Sequence, residues 1–117
     1  MIRLRPTRLH SIRIRREELA IRFVQIIEFR TSKLAEVQEV GNEWEKATEG
    51  KLKAGRSILC EDRDSPGHYL QIVFFESYEA AMENSAMPET DALSKKMMTF
   101  AEGPPTFYNL NVIDDRE

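Results

Sequence analysis

The sequence contains few of the residues from which metal centres, redox sites and disulfide frameworks are built. Cys60 is the single cysteine among 117 residues, so no disulfide can form within them. His10 and His68 are the only histidines, and without a cysteine pair they lack the spacing of a zinc site. We therefore expect no bound metal, and the lone cysteine favours a reducing, cytoplasmic location.

Long apolar runs and nucleotide-binding glycine motifs are also missing. No stretch approaches the roughly 20 apolar residues that cross a bilayer, so no membrane partner is expected. The absence of Rossmann, Walker and nucleophile-elbow motifs argues against nucleotide, flavin or acyl-serine chemistry, and we expect no cofactor. The run Asp62-x-Asp64 begins like a calcium loop, but Pro66 and Val73 stand at later ligand positions.

Positive charge is concentrated at the N-terminus. Residues 1–20 hold six arginines against two glutamates, and the remainder carries −7 within the total of −3. An acidic body does not suit phosphate binding, so we expect no nucleic-acid partner. We predict a basic extension over 1–21 that is disordered or not native sequence, one domain over 22–114, and a tail at 115–117.

Two strand patterns resemble each other closely. Residues 23–29 read FVQIIEF and residues 69–75 read YLQIVFF, each with an aromatic first, a glutamine third and a phenylalanine last. An amphipathic helix follows the first pattern after Thr31 and Ser32, which offer a capping hydroxyl. A second helix is expected to break near 86–87 and to restart at Pro88, and a last strand spans about 106–113.

The resulting order, β-α-β-β-α-β, predicts a ferredoxin-like α+β domain. Its four-stranded antiparallel sheet should carry the helices on one face only. Within this sheet we expect the two glutamine strands to be central neighbours, side by side and parallel.

Period-two alternation separates the strand residues into two faces. The face that includes Val24, Ile26, Leu70, Ile72 and Phe74 is almost entirely apolar and is expected to lie under the helices. The other face should be free of helices and line a cavity or an interface. Its candidate ligand-binding residues are Gln25, Ile27, Phe29, Tyr69, Gln71, Val73, Phe107 and Asn109, with His68 possible at the mouth.

A large aromatic face left bare in a monomer predicts a homodimer in which two sheets meet. The buried glutamines then need partners, because an unpaired buried amide costs on the order of 1–3 kcal/mol. They either bond to each other or across the dimer, or they anchor a small apolar or aromatic ligand in a pocket. The catalytic residues stay unknown, and Cys60 and Trp44 are interpreted as core residues.

The chain resembles the dimeric α/β-barrel superfamily, in particular the antibiotic-biosynthesis-monooxygenase-like domains. The resemblance covers about residues 22–114 and rests on FVQIIEF before an amphipathic helix, on YLQIVFFES leading into SYEAAMENSAMPET, and on the final PPTFYNLNVI strand. Its haem-degrading branch uses a histidine on the second helix, and this chain has none between Ser77 and Gly103. Its oxygenase branch binds polyaromatic substrates through Asn, Trp, Tyr and Arg side chains.

Two functions therefore stay open. The resemblance implies a cofactor-independent monooxygenase acting on an aromatic or polyketide-like molecule, with polar contacts from Gln25, Gln71, Tyr69 and Asn109. The alternative is a non-catalytic dimeric ligand-binding or stress-associated protein. It is favoured by the lack of a histidine, cysteine or carboxylate pair on the amide-bearing face.

Overall fold

The computed structural model describes residues 20–51 and 54–116, and the predicted basic extension lies almost wholly outside them. The described chain forms seven elements in the predicted order, with the second helical segment in two parts. They are β1 (Phe23–Arg30), α1 (Leu34–Ala47), β2 (Ala54–Glu61), β3 (His68–Phe75), α2 (Tyr78–Ser85), α3 (Pro88–Met98) and β4 (Thr106–Asn111). The predicted ferredoxin-like α+β class is confirmed.

The sheet has the order β2-β3-β1-β4, and all three neighbouring pairs are antiparallel. The two glutamine strands are central neighbours, as predicted, but the expected parallel pairing is wrong. Because β2 and β3 form a hairpin and α1 returns the chain so that β2 runs with β1, β3 must run against β1. One cross-strand row therefore aligns Ser57, Val73, Gln25 and Asn109.

Helix α1 begins differently from the prediction. Its N-cap residue is Lys33, which makes no side-chain capping bond. The Thr31 hydroxyl instead accepts a hydrogen bond from the Lys33 backbone N–H at 2.9 Å and donates one to the Phe100 carbonyl at 2.7 Å. Thr31 is buried, so this hydroxyl joins the start of α1 to the chain that leaves α3.

The break in the second helical segment lies where the sequence predicted it. Helix α2 ends at Ser85, and α3 begins at Pro88 after Met87, which has extended backbone angles. Proline suits the first turn because its missing N–H would have no partner there, and its ring disfavours a helical residue before it. At the other end of α2, the Ser77 hydroxyl accepts a hydrogen bond from the Ala80 N–H at 3.0 Å.

In the described part of the chain, the core contains two clusters that lie under opposite ends of the helical layer. One joins Phe23 and Phe75 to Ala80 and Ala81 of α2. The other joins Phe29 and Tyr69, whose rings stack at 5.7 Å, to Val37 of α1 and to Met97 and Phe100.

Both clusters lie on the face that carries the glutamines, so the predicted assignment of the faces is wrong. The helices cover this helix-side face (Phe23, Gln25, Ile27, Phe29, Tyr69, Gln71, Val73, Phe75). Alternation shows which side chains share a face and not which face the helices take. The helices cover the face with the bulky aromatic rings, because these rings fill the space between the sheet and the helices.

The outer face (Val24, Ile26, Ile58, Leu70, Ile72, Phe74, Leu110) was expected under the helices and instead lies on the opposite side of the sheet. Cys60 shares this face and is exposed, so the prediction of a buried thiol is also wrong. Trp44 of α1 is half-buried, and its Nε1 donates a hydrogen bond to Thr90 of α3 at 3.2 Å. Among the described residues, no helix is long and apolar enough to cross a membrane.

Candidate functional site

The candidate site is a band of four neutral polar side chains on the helix-side face, which we call the amide band (Gln25, Ser57, Gln71, Asn109). The Nε2 of Gln25 donates a hydrogen bond to the Asn109 Oδ1 at 3.1 Å, which joins β1 to β4. The Nε2 of Gln71 donates one to the Ser57 hydroxyl, which joins β3 to β2. Each glutamine thus bonds to the neighbouring edge strand, β4 for Gln25 and β2 for Gln71, and not to the other glutamine.

The two core clusters hold the amide band between them. The aromatic residues Phe23 and Phe75 lie at one end of the central strands, and Phe29 and Tyr69 lie at the other. Gln25 and Gln71 occupy the middle positions of those strands. An apolar layer interrupted by a few convergent polar groups is the usual composition of a small-molecule site.

The band is more open toward β4 than toward β3. Every residue of β4 is exposed, and Phe107, whose side chain is on the helix-side face, is 52% exposed. Gln25 and Gln71 are half-buried, whereas Tyr69 beside them is buried. A planar molecule entering over β4 would therefore meet Phe107 and Asn109 first and then Gln25.

All eight predicted ligand-binding residues share the helix-side face, and this much of the prediction agrees with the structure. The register aligns Ile27 with Gln71 and with Phe107, and Gln25 with Val73 and Asn109. The prediction and the structure differ in what faces these residues. A second sheet was expected there, and the structure has the helical layer. Whether these residues bind a ligand stays a prediction.

Sequence reasoning missed Ser57 of the amide band, and it also missed Asn84 on α2. Asn84 is 7% exposed, and its Oδ1 has no hydrogen-bond partner in the described part of the chain. The buried residues of α2 are Ala80, Ala81 and Asn84, so Asn84 lies on the side of the helix that faces the sheet. An asparagine one turn after an alanine pair on a helix's apolar side was the available signal.

His68 does not lie at the mouth of the amide band, which corrects the prediction for this residue. Alternation along β3 places its side chain on the outer face, with Glu28 and Arg30 of β1. Its Nε2 lies 2.6 Å from the Glu28 Oε2, and its Nδ1 lies 3.0 Å from the Asp62 Oδ2. The Tyr108 hydroxyl donates to the other Glu28 oxygen at 2.9 Å, which extends this ionic chain (Tyr108, Glu28, His68, Asp62) to β4.

The ionic chain shifts the pKa of each of its members. Hydrogen bonds with Asp62 and Glu28 raise the pKa of His68 above its usual 6.5, so both ring nitrogens donate over a wider pH range. Hydrogen bonds from Tyr108 and then His68 lower the pKa of Glu28. The Asp64 backbone N–H and then His68 lower the pKa of Asp62, while the hydrogen bond to Glu28 raises that of Tyr108.

The two faces therefore differ in what they can do chemically. The amide band offers hydrogen-bond donors and acceptors that do not titrate, so it can orient a neutral molecule but cannot itself take up a proton. The shifted titratable groups of the ionic chain lie on the other side of the sheet. Within the part of the chain that the structure describes, no group of three or more His, Cys, Asp or Glu side chains is arranged to hold a metal.

Comparison with solved structures shows which fold this arrangement belongs to. A Caulobacter crescentus protein named for the antibiotic biosynthesis monooxygenases superposes with a TM-score of 0.68 at 13% identity, covering 86% of this chain and 99% of that one. SnoaB, a cofactor-independent oxygenase from Streptomyces nogalater, gives 0.69 at 14% identity, with 82% and 97% covered. The protein has the antibiotic-biosynthesis-monooxygenase-like fold.

This fold is shared beyond proteins named as oxygenases. A conserved protein from Methanosarcina mazei superposes with a TM-score of 0.68 at 4% identity, covering 80% of this chain and 96% of that one. No family model matches the sequence, and no curated protein matches it either. The antibiotic-biosynthesis-monooxygenase-like fold thus agrees with the sequence resemblance, and function has to be argued from the site.

Proposed function

We propose that this protein binds a neutral aromatic or polyketide-like small molecule at the amide band, between the sheet and its helices. The observation that carries this proposal is the pair of amide contacts on the helix-side face, Gln25 with Asn109 and Gln71 with Ser57, placed between two aromatic clusters. The flanking rings suit a flat apolar ligand, and the amides suit its hydroxyl or carbonyl groups. The absence of charge among the four band residues favours an uncharged molecule.

We further propose that the bound molecule is a substrate that reacts with O2 without a cofactor. The likeness of the fold to SnoaB, which is named as a cofactor-independent oxygenase, supports this version. In such chemistry the substrate itself supplies the electrons, so electron-rich phenols and hydroquinones are the molecules to test. The amides would hold the ring and its oxygen substituents in place and would stabilise charge that develops on them.

One observation favours a second function, a non-catalytic ligand-binding or stress-associated protein. Removing a phenolic proton in the reaction normally requires a positioned base. The four band residues are amides and a hydroxyl, and His68 lies on the outer face. The carboxylate beside the band, Glu61, is already hydrogen-bonded to Tyr69. Binding without turnover is what this arrangement provides unless the ligand is acidic enough to ionise by itself.

A panel of phenols, naphthols and hydroquinones separates the two functions. We expect members of the panel to raise the thermal unfolding midpoint of the protein, and an oxygen electrode then reports whether O2 is consumed. Gln25→Leu and Gln71→Leu should each weaken binding by about threefold to tenfold, since each removes one neutral hydrogen-bonding group. Arg63→Leu, on the loop between β2 and β3, is the control.

The outcomes are distinct. O2 consumption that is lost in Gln71→Ala, with the fold retained, supports the oxygenase and excludes the non-catalytic version. Binding that is weakened by both glutamine variants without O2 consumption supports the non-catalytic version. Binding that neither variant changes would place the ligand elsewhere and refute the amide band as the site.

We also propose that two copies pair through their outer faces. The described helices pack on the helix-side face, which leaves the aliphatic outer face with Leu110 44% exposed. The centre of this face, around Ile26 and Ile72, is aliphatic and complementary to the same surface of a second copy across a twofold axis, and the ionic chain lies at one end of the strands. In this arrangement each copy keeps its own amide band.

A further inference from the structure

We infer that Asn84 is a ligand-binding residue of the helical layer, and that it selects molecules carrying a hydroxyl or N–H donor. This inference rests on the proposed ligand site and adds a contact to it from the side opposite the sheet. The starting observation is energetic. Asn84 is 7% exposed and its Oδ1 has no partner among the described residues.

An orphaned buried carbonyl is costly. The carbonyl loses its hydrogen bonds to water on folding and gains no donor, which lowers the stability of the folded chain. Buried polar groups in proteins therefore usually have a partner, which can be a protein group, a water or a ligand. The cost is avoidable at this position, since Ala80 and Ala81 on the same side of α2 are apolar and pack well. A polar group kept there is explained if a donor from a bound molecule completes it.

The position of Asn84 relative to the amide band is inferred from the course of the chain. Ala80 packs with Phe23 and Phe75 at the end of the sheet where α2 begins. The chain then runs back toward the other cluster, which includes Met97 of α3. One helical turn, about 6 Å, separates Ala80 from Asn84.

A similar distance along β3 separates two successive residues whose side chains lie on the same face. Two strand residues span about 7 Å, which leads from Phe75 to Val73. Val73 is in register with Gln25 and with Ser57, and Gln25 is in register with Asn109. From these distances we infer that Asn84 lies over the row that contains three of the four band residues.

The hydrogen-bonding atoms divide between the two layers in a way that defines the ligand. In the sheet, one N–H of the Gln25 amide and one of the Gln71 amide are used in the contacts with Asn109 and Ser57, and the second N–H of each can donate to a ligand oxygen. The helical layer contributes an acceptor, the Asn84 Oδ1, which has no donor within residues 20–51 and 54–116. A ring with a hydroxyl directed at α2 satisfies that acceptor, whereas the corresponding methyl ether leaves it unpaired.

The test uses 2-naphthol and 2-methoxynaphthalene, two probes that share a ring system and differ in the donor. We expect the wild-type protein to bind the naphthol about threefold to tenfold more tightly than the ether, and Asn84→Leu to reduce this ratio to about one. Without a probe, Asn84→Leu should unfold at an equal or higher temperature, because it removes the orphaned carbonyl. Ser85→Leu, at the exposed neighbouring position, should leave the ratio unchanged.

Asn84→Ala is measured in parallel because leucine is bulkier than asparagine. A lower ratio in both variants with no loss of stability supports the inference. A ratio that neither variant changes, or a loss of stability in both without a change in ratio, shows a structural or water-holding role and overturns it. If neither probe binds the wild-type protein at millimolar concentration, the proposed ligand site fails, and this inference fails with it.

Discussion

Individual side chains divide the polar chemistry of this protein between the two faces of one sheet. Gln25 and Gln71 belong to the helix-side face and pair with neutral partners, whereas Glu28 and His68 belong to the outer face and form an ionic chain. Neighbouring strand residues point to opposite faces, so residues that are one or three positions apart lie on different faces. Gln25 and Glu28 are separated in this way, as are Gln71 and His68. His68, the only histidine among the described residues, is thereby separated from the candidate ligand site.

The ionic chain predicts a stability maximum in mildly acidic solution. The pKa of His68 is raised, so its contribution is complete below its unfolded value of 6.5 and is lost as the pH rises through its higher folded value. The pKa values of Glu28 and Asp62 are lowered, so their contributions are complete above 4.5 and 3.8 and are lost as the pH falls through their folded values. The positive charge of Arg30 lowers all three pKa values, so it opposes the raised pKa of His68 and adds to the lowered pKa values of Glu28 and Asp62.

Urea unfolding of the wild-type protein and His68→Gln between pH 3 and pH 9 measures this effect. We expect the stability difference between them to be largest at about pH 4.5–6.5 and to shrink on both sides of that range. Asp91→Asn, which removes an exposed ion pair with Lys95, is the control and should cost little at any pH. A difference that is constant across the range would show that His68 acts through packing alone.

The helices and strands were largely predictable from the sequence, and their contacts were less so. Apolar periodicity and Pro88 located the elements, since they depend on neighbours along the chain. The Thr31 hydroxyl bonds to Phe100, which is far away in sequence, so its true role could not be read locally. The face that the helices cover was also not predictable, because both faces of β1 and β3 are apolar enough to be buried.

The candidate site was predictable in the same limited sense. Two matching glutamines identified the polar band, but their partners Ser57 and Asn109 depend on strand order and register. Asn84 required the tilt and direction of α2, which the sequence does not contain. Residues that share one element were therefore found, and residues brought together by packing were not.

Helix α2 depends on its first turn, and this gives a prediction for Ser77. The helix has only eight residues, so it is too short to be stable alone. The Ser77 hydroxyl accepts the Ala80 N–H, and Ala80 and Ala81 complete the Phe23–Phe75 cluster. Ser77→Ala should therefore lower the free energy of unfolding by about 1 kcal/mol.

Denaturant unfolding measures this cost, and two further variants make it specific. Ser77→Asp should retain most of the stability, because a carboxylate also accepts at this position and suits the positive end of the helix dipole. Ser85→Ala makes the same chemical change at the exposed end of the helix and should have little effect. An equal loss in Ser77→Ala and Ser85→Ala would show that capping does not limit the stability of α2.

The described part of the molecule is a sheet with one face covered by helices and an outer face that is aliphatic at its centre and ionic at one end. The covered face holds two aromatic clusters with the amide band between them, which keeps the proposed ligand site inside a single copy of the chain. On the outer face, Ile72 and Ile26 are in register at the centre of the two middle strands. Pairing of outer faces would therefore stabilise the sheet behind the site without taking part in ligand contacts.

This division predicts that dimerisation can be disrupted without unfolding the chain. Sedimentation at micromolar concentration should give twice the 13.6 kDa mass of one chain for the wild-type protein. Ile72→Lys introduces a charge at the centre of the outer face and should give the mass of one chain, because an unpaired charge cannot be buried between two apolar surfaces. Met98→Lys, at a position of α3 that is 60% exposed, should remain dimeric.

The Ile72→Lys monomer should keep its circular dichroism spectrum, since lysine can reach water from an uncovered face. A wild-type protein that sediments as a single chain would refute the pairing and leave the amide band to be tested as the site of a monomer.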